Sequence, residues 1–208
     1  MFAITNPRIE QYLKNLSAEK DPLLLAMERR GHRQDFPIVD RLVGRLLSVL
    51  TRLKDPKLVV ELGSGFGYSA YWFARALKRG KVILTDHDPK NIDLAKKTFM
   101  QAGLARRAVF HAGDAIAIAK RYTEIDILFI DIDKHQYLQA VKTLLPNLGR
   151  NALIIADNAL WYGRVAGKRK DRDTQGIRAF NEYLFSRSDF FTTIVPLRDG
   201  VLLAQKIP

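Results

Sequence analysis

The chain is built on short, mostly apolar runs that each end on or beside an acidic residue, with a helical pattern between one run and the next. Leu58 to Leu62, Lys81 to Thr85, Ala108 to His111, Ile125 to Ile130 and Ala152 to Ala156 are such runs. Strands of this kind are buried on both faces. Alternating with helices, they predict a parallel sheet covered on both sides. The tail differs. Phe190 to Val195 and Val201 to Gln205 flank the turn signal Asp199-Gly200 and predict an antiparallel hairpin at the sheet.

Ahead of the first strand the apolar spacing turns helical. Ile9, Tyr12, Leu13 and Leu16 share a face, and Leu23, Leu24, Ala26 and Met27 form a second. Arg29, Arg30, His32 and Arg33 read as a basic turn. Ile38, Val39, Leu42, Val43, Leu46, Leu47, Leu50 and Leu53 trace a third stripe, which Asp55-Pro56 ends. The stretch from Ala159 to Asp173 is rich in Gly, Lys and Arg and reads as a long functional or mobile loop. With 208 residues, 47% of them hydrophobic, the expectation is one α/β domain spanning residues 1–208.

The absence of cysteine excludes disulfides, thiolate metal sites and a cysteine nucleophile. No apolar run approaches the roughly 20 residues a membrane span needs. The opening Met1-Phe2-Ala3-Ile4-Thr5-Asn6-Pro7 lacks the basic-then-apolar order of a signal peptide, so a cytoplasmic location is expected. The net charge of +12 asks for an anionic partner: RNA, a phosphorylated or CoA-linked small molecule, or an acidic membrane surface. A generally basic proteome is the alternative.

Ligands of open parallel sheets lie beyond the C-terminal strand ends, where strand order reverses. Gly63, Gly65 and Gly67 follow the first strand and allow a tight turn against which a ligand can lie. Asp86 ends the second strand, about 20 residues on, the usual place for a carboxylate that meets ribose hydroxyls. Asp114 ends the third and could meet an adenine amino group. The order G-x-G-x-G is not the dinucleotide G-x-G-x-x-G. Glu61 just before the turn suits a ligand with a cationic amino group and a sulfonium better than a pyrophosphate. The alternative is a tight strand–helix turn that holds no ligand.

Two further acidic ends remain, Asp131 and the pair Asp157-Asn158. If the fourth and fifth strands are neighbours, these oxygen ligands converge. Carboxylates with an amide oxygen suit Mg²⁺, Mn²⁺ or Ca²⁺. A cation there would acidify and orient a hydroxyl, as methyl transfer to oxygen requires. Lys134 opens the next helix. A cation and a helix N-terminus both disfavour a second positive charge, so it could act as a general base. A surface lysine paired with Asp133, and a plain Asx turn at Asp157-Asn158, are the alternatives.

The segments VVELGSGFGYSA, LTDHDP, GDA, FIDIDKHQY, IIADNALWYGRV and VPLRDGVLLAQK occur in this order between Lys57 and Lys206. In them the chain resembles the class I, metal-dependent O-methyltransferases of the catechol and caffeoyl-CoA type. The resemblance implies a Rossmann-like, seven-stranded methyltransferase fold, S-adenosylmethionine (SAM) as donor and a divalent cation, usually Mg²⁺. Asp131, Asp157 and Asn158 resemble the metal ligands and Lys134 the base. The implied cofactor contacts are Val39, Glu61, Gly63, Ser64, Gly65, Gly67, Ser69, Asp86, His87, Asp114, Ala115 and Asp131. Asp86 stands where many members carry the longer Glu.

In many members the N-terminal helices, here residues 1–54, shape the acceptor pocket. The chain is most similar to a small bacterial branch that methylates catechols or 5-hydroxyuridine at the tRNA wobble position. A small aromatic hydroxyl compound, such as a catechol or aryl-CoA ester, is the first expected acceptor and tRNA the second. Trp161 and Tyr162 would stack on the ring or base. Arg164, Lys168, Arg169, Lys170 and Arg172, with Arg29, Arg30 and Arg33, could form a phosphate track. The expected partners also include a second copy of the chain, and no membrane. A reading from another class is a nucleic-acid-binding protein on a methyltransferase fold that no longer catalyses.

Overall fold

The computed structural model describes residues 4–207. Met1, Phe2 and Ala3, part of the segment read as lacking a signal peptide, lie outside the described residues. Three helices come first: α1 (Pro7–Leu16), α2 (Pro22–Gln34) and α3 (Arg41–Lys54). The alternating part follows: β1 (Leu58–Leu62), α4 (Tyr68–Ala76), β2 (Lys81–Asp86), α5 (Pro89–Gln101), β3 (Ala108–Ala112), α6 (Ala115–Ala119), β4 (Ile125–Ile130), α7 (Tyr137–Leu144) and β5 (Leu148–Ala156). The chain then forms α8 (Arg172–Phe185), β6 (Phe190–Val195) and β7 (Val201–Lys206).

The sheet has seven strands in the order β3-β2-β1-β4-β5-β7-β6. The first five in sequence pair parallel. β7 runs antiparallel to β5 and to β6. Strand order reverses between β1 and β4, which opens a crevice at their C-terminal ends. Successive strand residues point to opposite faces. Val59, Phe129 and Ile155 therefore join the core under α2–α5. Val60, Leu128 and Ile154 join the core under α7 and α8. This is the mostly parallel seven-stranded architecture with a C-terminal antiparallel pair that the apolar runs predict.

Helix starts follow capping chemistry. Asn6-Pro7, Asp21-Pro22 and Asp88-Pro89 each supply a side-chain acceptor and a proline preset for the first turn. Asp40 accepts from the Val43 N–H at 3.0 Å, so α3 begins after Ile38 and Val39 rather than with them. Arg29, Arg30, His32 and Arg33 are not a turn: α2 continues through them to a left-handed cap at Asp35. The Ala159–Asp173 stretch is not an open loop either. It holds a 3-10 segment, Trp161–Ala166, and the start of α8. The Arg178 guanidinium ties the rest down by donating to the carbonyls of Arg164, Val165, Gly167 and Arg169. Among the described residues no helix is long and apolar enough to cross a membrane.

Candidate active site

A cavity of about 620 Å³ lies at the β1/β4 switch point. One end is the glycine turn. The Gly63 and Ser64 N–H groups donate to Thr85 O at 3.1 and 2.8 Å, and Gly65 N–H donates to Asp86 Oδ2 at 3.0 Å. At Gly63, with φ +82°, a Cβ would run into the Asp131 carbonyl, so only glycine lets the ends of β1 and β4 meet. At Gly65 a Cβ would meet the Phe36 ring at 2.8 Å. Phe36 to Val39 link α2 to α3 and form the wall opposite the turn.

Val39, Gly63, Ser64, Gly65, Ser69, Asp86, His87, Asp114, Ala115 and Asp131 line this one cavity. Glu61 and Gly67, the other two expected contacts, are not among the residues that line it. Gly67 starts α4 at φ +89°, and its missing Cβ faces Ala95 of α5 at 2.8 Å. Its role is helix–helix packing. Glu61 is fully buried behind the turn, where Ser69 Oγ donates to its Oε1. Burial, aided by the charges of Asp131 and Asp86, pushes its pKa from 4.5 to about 8. Through Ser69, which lines the cavity, Glu61 braces the start of α4. Asp86 accepts from Gly65, from the Asp88 N–H at 2.9 Å and from Asn91 Nδ2 at 3.1 Å. The shorter acid is thus drawn back into its own turn. Asp114 caps α6 through the Ala117 N–H at 2.7 Å.

The other end of the cavity carries Asp131, Lys134, Asp157 and Asn158. β4 and β5 pair with Ile130 opposite Ala156, so Asp131 and Asp157 leave adjacent strands side by side. Asp131 N–H donates to Leu62 O at 2.9 Å and Asp157 N–H to Ile130 O at 3.2 Å, carrying the ladder one residue further. Lys134 turns inward, not toward Asp133. Its Nζ donates to Asp131 Oδ1 at 2.9 Å and to Ile132 O at 3.1 Å, and lies 5.8 Å from the Trp161 ring centroid.

Asp157 is buried, and its Oδ1 has no partner among the described residues. Burial first, then the Asp131 charge, raises its pKa from 3.8 to about 7 against the pull of Arg198 and Lys134. Asn158 adopts φ +58° and its Nδ2 donates to Asp199 Oδ2 at 3.2 Å, and its amide oxygen accepts no hydrogen bond among the described residues. Among the described residues there is no cluster of three or more His, Cys, Asp and Glu groups. The set here is two carboxylates and an amide oxygen. An orphaned buried carboxylate oxygen between repelling charges fits a hard divalent cation.

Trp161 and Tyr162 also line the cavity. Both are left-handed, at φ +45° and +55°, which costs about 1 kcal/mol each. Asp199 holds the bend by accepting the Tyr162 N–H. Arg164 stacks on both rings, 5.4 and 5.5 Å from their centroids. Lys168, Arg169, Lys170 and Arg172 are exposed. Residue patterns alone missed Phe36, Arg198 and Asp199. The last two had a signal: a strand antiparallel to β5 starts where β5 ends, so the turn before β7 must overhang Asp157. Leu202 sits opposite Ala156, and Arg198 Nη1 reaches Asp157 Oδ2 at 3.4 Å.

Strand order, the glycine turn and the acidic strand ends define a Rossmann-like methyltransferase. The O-methyltransferase family matches residues 14–207, and the chain belongs to that family. It is 32% identical to a catechol O-methyltransferase of Niastella koreensis, over 94% of this chain and 95% of that one. A solved methyltransferase from Geobacter sulfurreducens is 40% identical, with TM-score 0.87, over 98% of this chain and 100% of that one. The O-methyltransferase TomG of Streptomyces achromogenes, solved in complex with SAM, is 26% identical with TM-score 0.87, over 97% and 96%.

Proposed function

We propose that the protein transfers a methyl group from SAM to a hydroxyl of an aromatic vicinal diol, with a divalent cation, Mg²⁺ by preference, held by Asp131, Asp157 and Asn158. The observation that carries this reading is that one cavity joins the glycine turn at one end to these residues and Lys134 at the other. The glycine turn and the Phe36–Val39 wall would enclose the donor. Such a cation would lower the pKa of a nearby hydroxyl and orient it. Lys134 spends two of its N–H positions on Asp131 and Ile132 O. The third position, a lone pair in the neutral amine, takes the hydroxyl proton as the oxygen accepts the methyl group. Trp161 and Tyr162 offer an aromatic wall. SAM is supported by family membership and by the SAM complex of TomG. The cytoplasmic location and a homodimer belong to the same reading. Exposed Ile9, Tyr12, Leu16, Val49 and Leu53 on α1 and α3 support the homodimer.

Asp131→Ala and Asp157→Ala test the division of labour. Both are expected to abolish turnover while calorimetry shows SAM affinity changed by less than about tenfold. Loss of SAM binding in both, with turnover intact under a chelator, would sink the assignment. A second acceptor, 5-hydroxyuridine in tRNA, is favoured by the exposed basic run from Lys168 to Arg172. Its mark would be affinity for the acceptor that falls steeply with salt.

A further inference from the structure

Arg198 stands in the cavity with most of its donors unspent. It sits on the turn between β6 and β7 at φ +52°, a conformation an arginine adopts only when the surroundings impose it. Its side chain is 31% exposed and lines the same cavity as Asp131 and Lys134. Among the described residues its guanidinium makes one hydrogen bond, the 3.4 Å contact to Asp157 Oδ2, which is long for a charged pair. A guanidinium has five N–H donors in a planar fork. The other nearby carboxylates have partners of their own. Asp40, whose charge also reaches Arg198, caps α3 through the Val43 N–H and lies 3.9 Å from Lys14 Nζ. Asp131 is held by Lys134, Asp173 by His135 at 3.0 Å, and Asp199 by Tyr162 and Asn158.

Charge balance points the same way. Asp131 and Asp157 together match one divalent cation. With such a cation bound, a proton passed from the acceptor hydroxyl to Lys134 leaves an ammonium beside an ionised oxygen, a balanced pair. Arg198 is the cation left over, and it calls for a second anion within a side chain's length of that hydroxyl. A planar fork meets a carboxylate with two parallel hydrogen bonds. Phosphates at the far end of a long CoA ester would not reach a group that touches Asp157.

We infer that Arg198 is the acceptor-recognition residue of this site, and that it selects an aromatic diol bearing a ring carboxylate over a neutral diol. The inference rests on the diol reading above. Its test compares protocatechuate with catechol on the wild type, Arg198→Gln and Arg198→Lys, by kcat/KM and by calorimetric binding to enzyme loaded with Mg²⁺ and S-adenosylhomocysteine. Wild type is expected to favour protocatechuate. Arg198→Gln should lower the protocatechuate-to-catechol ratio by about tenfold or more, mainly through KM, and Arg198→Lys should restore part of it. An unchanged ratio in Arg198→Gln would overturn the inference and leave Arg198 as a counterion of Asp157. Calorimetry separates the two claims. Protocatechuate binding that depends on Arg198, without turnover of either diol, overturns the diol-methylation reading and supports the recognition role. Binding that does not depend on Arg198 overturns the role.

Discussion

At the scale of single residues, two buried acids set the response to pH. Glu61 has a folded pKa of about 8, above its ordinary 4.5. Its neutral form therefore contributes stability that is full below about pH 4.5 and is lost as pH rises toward 8. Glu61→Gln carries no charge at any pH and keeps an acceptor for Ser69. Thermal melts between about pH 6 and pH 9 should show the wild type losing midpoint where the variant holds it. A parallel decline in both would place the ionisation elsewhere. Asp157 has the same sign, from 3.8 to about 7. If the proposed cation binds here it must displace that proton, so Mg²⁺ affinity should rise by up to about tenfold per pH unit below 7 and level off above it. Titration calorimetry at several pH values checks this.

Much of this was legible residue by residue. Asp131, Asp157 and Asn158 are visible in the sequence because strand ends in a parallel sheet share one edge. Glu61 ends β1 as its place in the sequence suggests, but its full burial and its bond to Ser69 show only in three dimensions. Lys134 needed three dimensions to choose Asp131 over Asp133.

At the scale of elements, the site depends on how closely strand ends and turns approach. Gly63→Ala would place a methyl group against the Asp131 carbonyl at a left-handed φ. It should destabilise the fold by about 3 kcal/mol, read as a lowered denaturation midpoint. Gly176 does the same for α8: a Cβ there would sit 2.5 Å from the His135 Cα. Asp199 acts through the β6–β7 turn, where it holds both Asn158 and Tyr162. Asp199→Ala is expected to lower kcat at least about tenfold with SAM affinity nearly unchanged, since the donor end of the cavity does not touch it. An equal loss of SAM affinity would show a general collapse. Elements were easier to read than their joints. The apolar runs carry the sheet, and Asp-Pro pairs mark helix starts. The folding back of residues 159–173 onto Arg178 has no local signal, because it is made of backbone carbonyls meeting a distant side chain.

At the scale of the molecule, Leu53 is 79% and Leu16 67% exposed although both belong to helical apolar stripes. If a second copy covers that face, light scattering should give the mass of two chains, and Leu53→Asp should return one chain that keeps its fold by circular dichroism and melts at a midpoint that no longer depends on concentration. A single-chain mass for the wild type would leave the face without that explanation. The net charge of +12 is a property of the whole surface, and it suits an anionic acceptor of either size. The central claim remains chemical: a methyl group passes to an oxygen beside Asp131, Lys134, Asp157 and Asn158 with a cation in place. The direct measurement is labelled-methyl transfer from SAM to a catechol before chelation, after it, and after Mg²⁺ is returned. Turnover is expected to vanish with the chelator and to come back with Mg²⁺. Turnover that persists through chelation would contradict the claim.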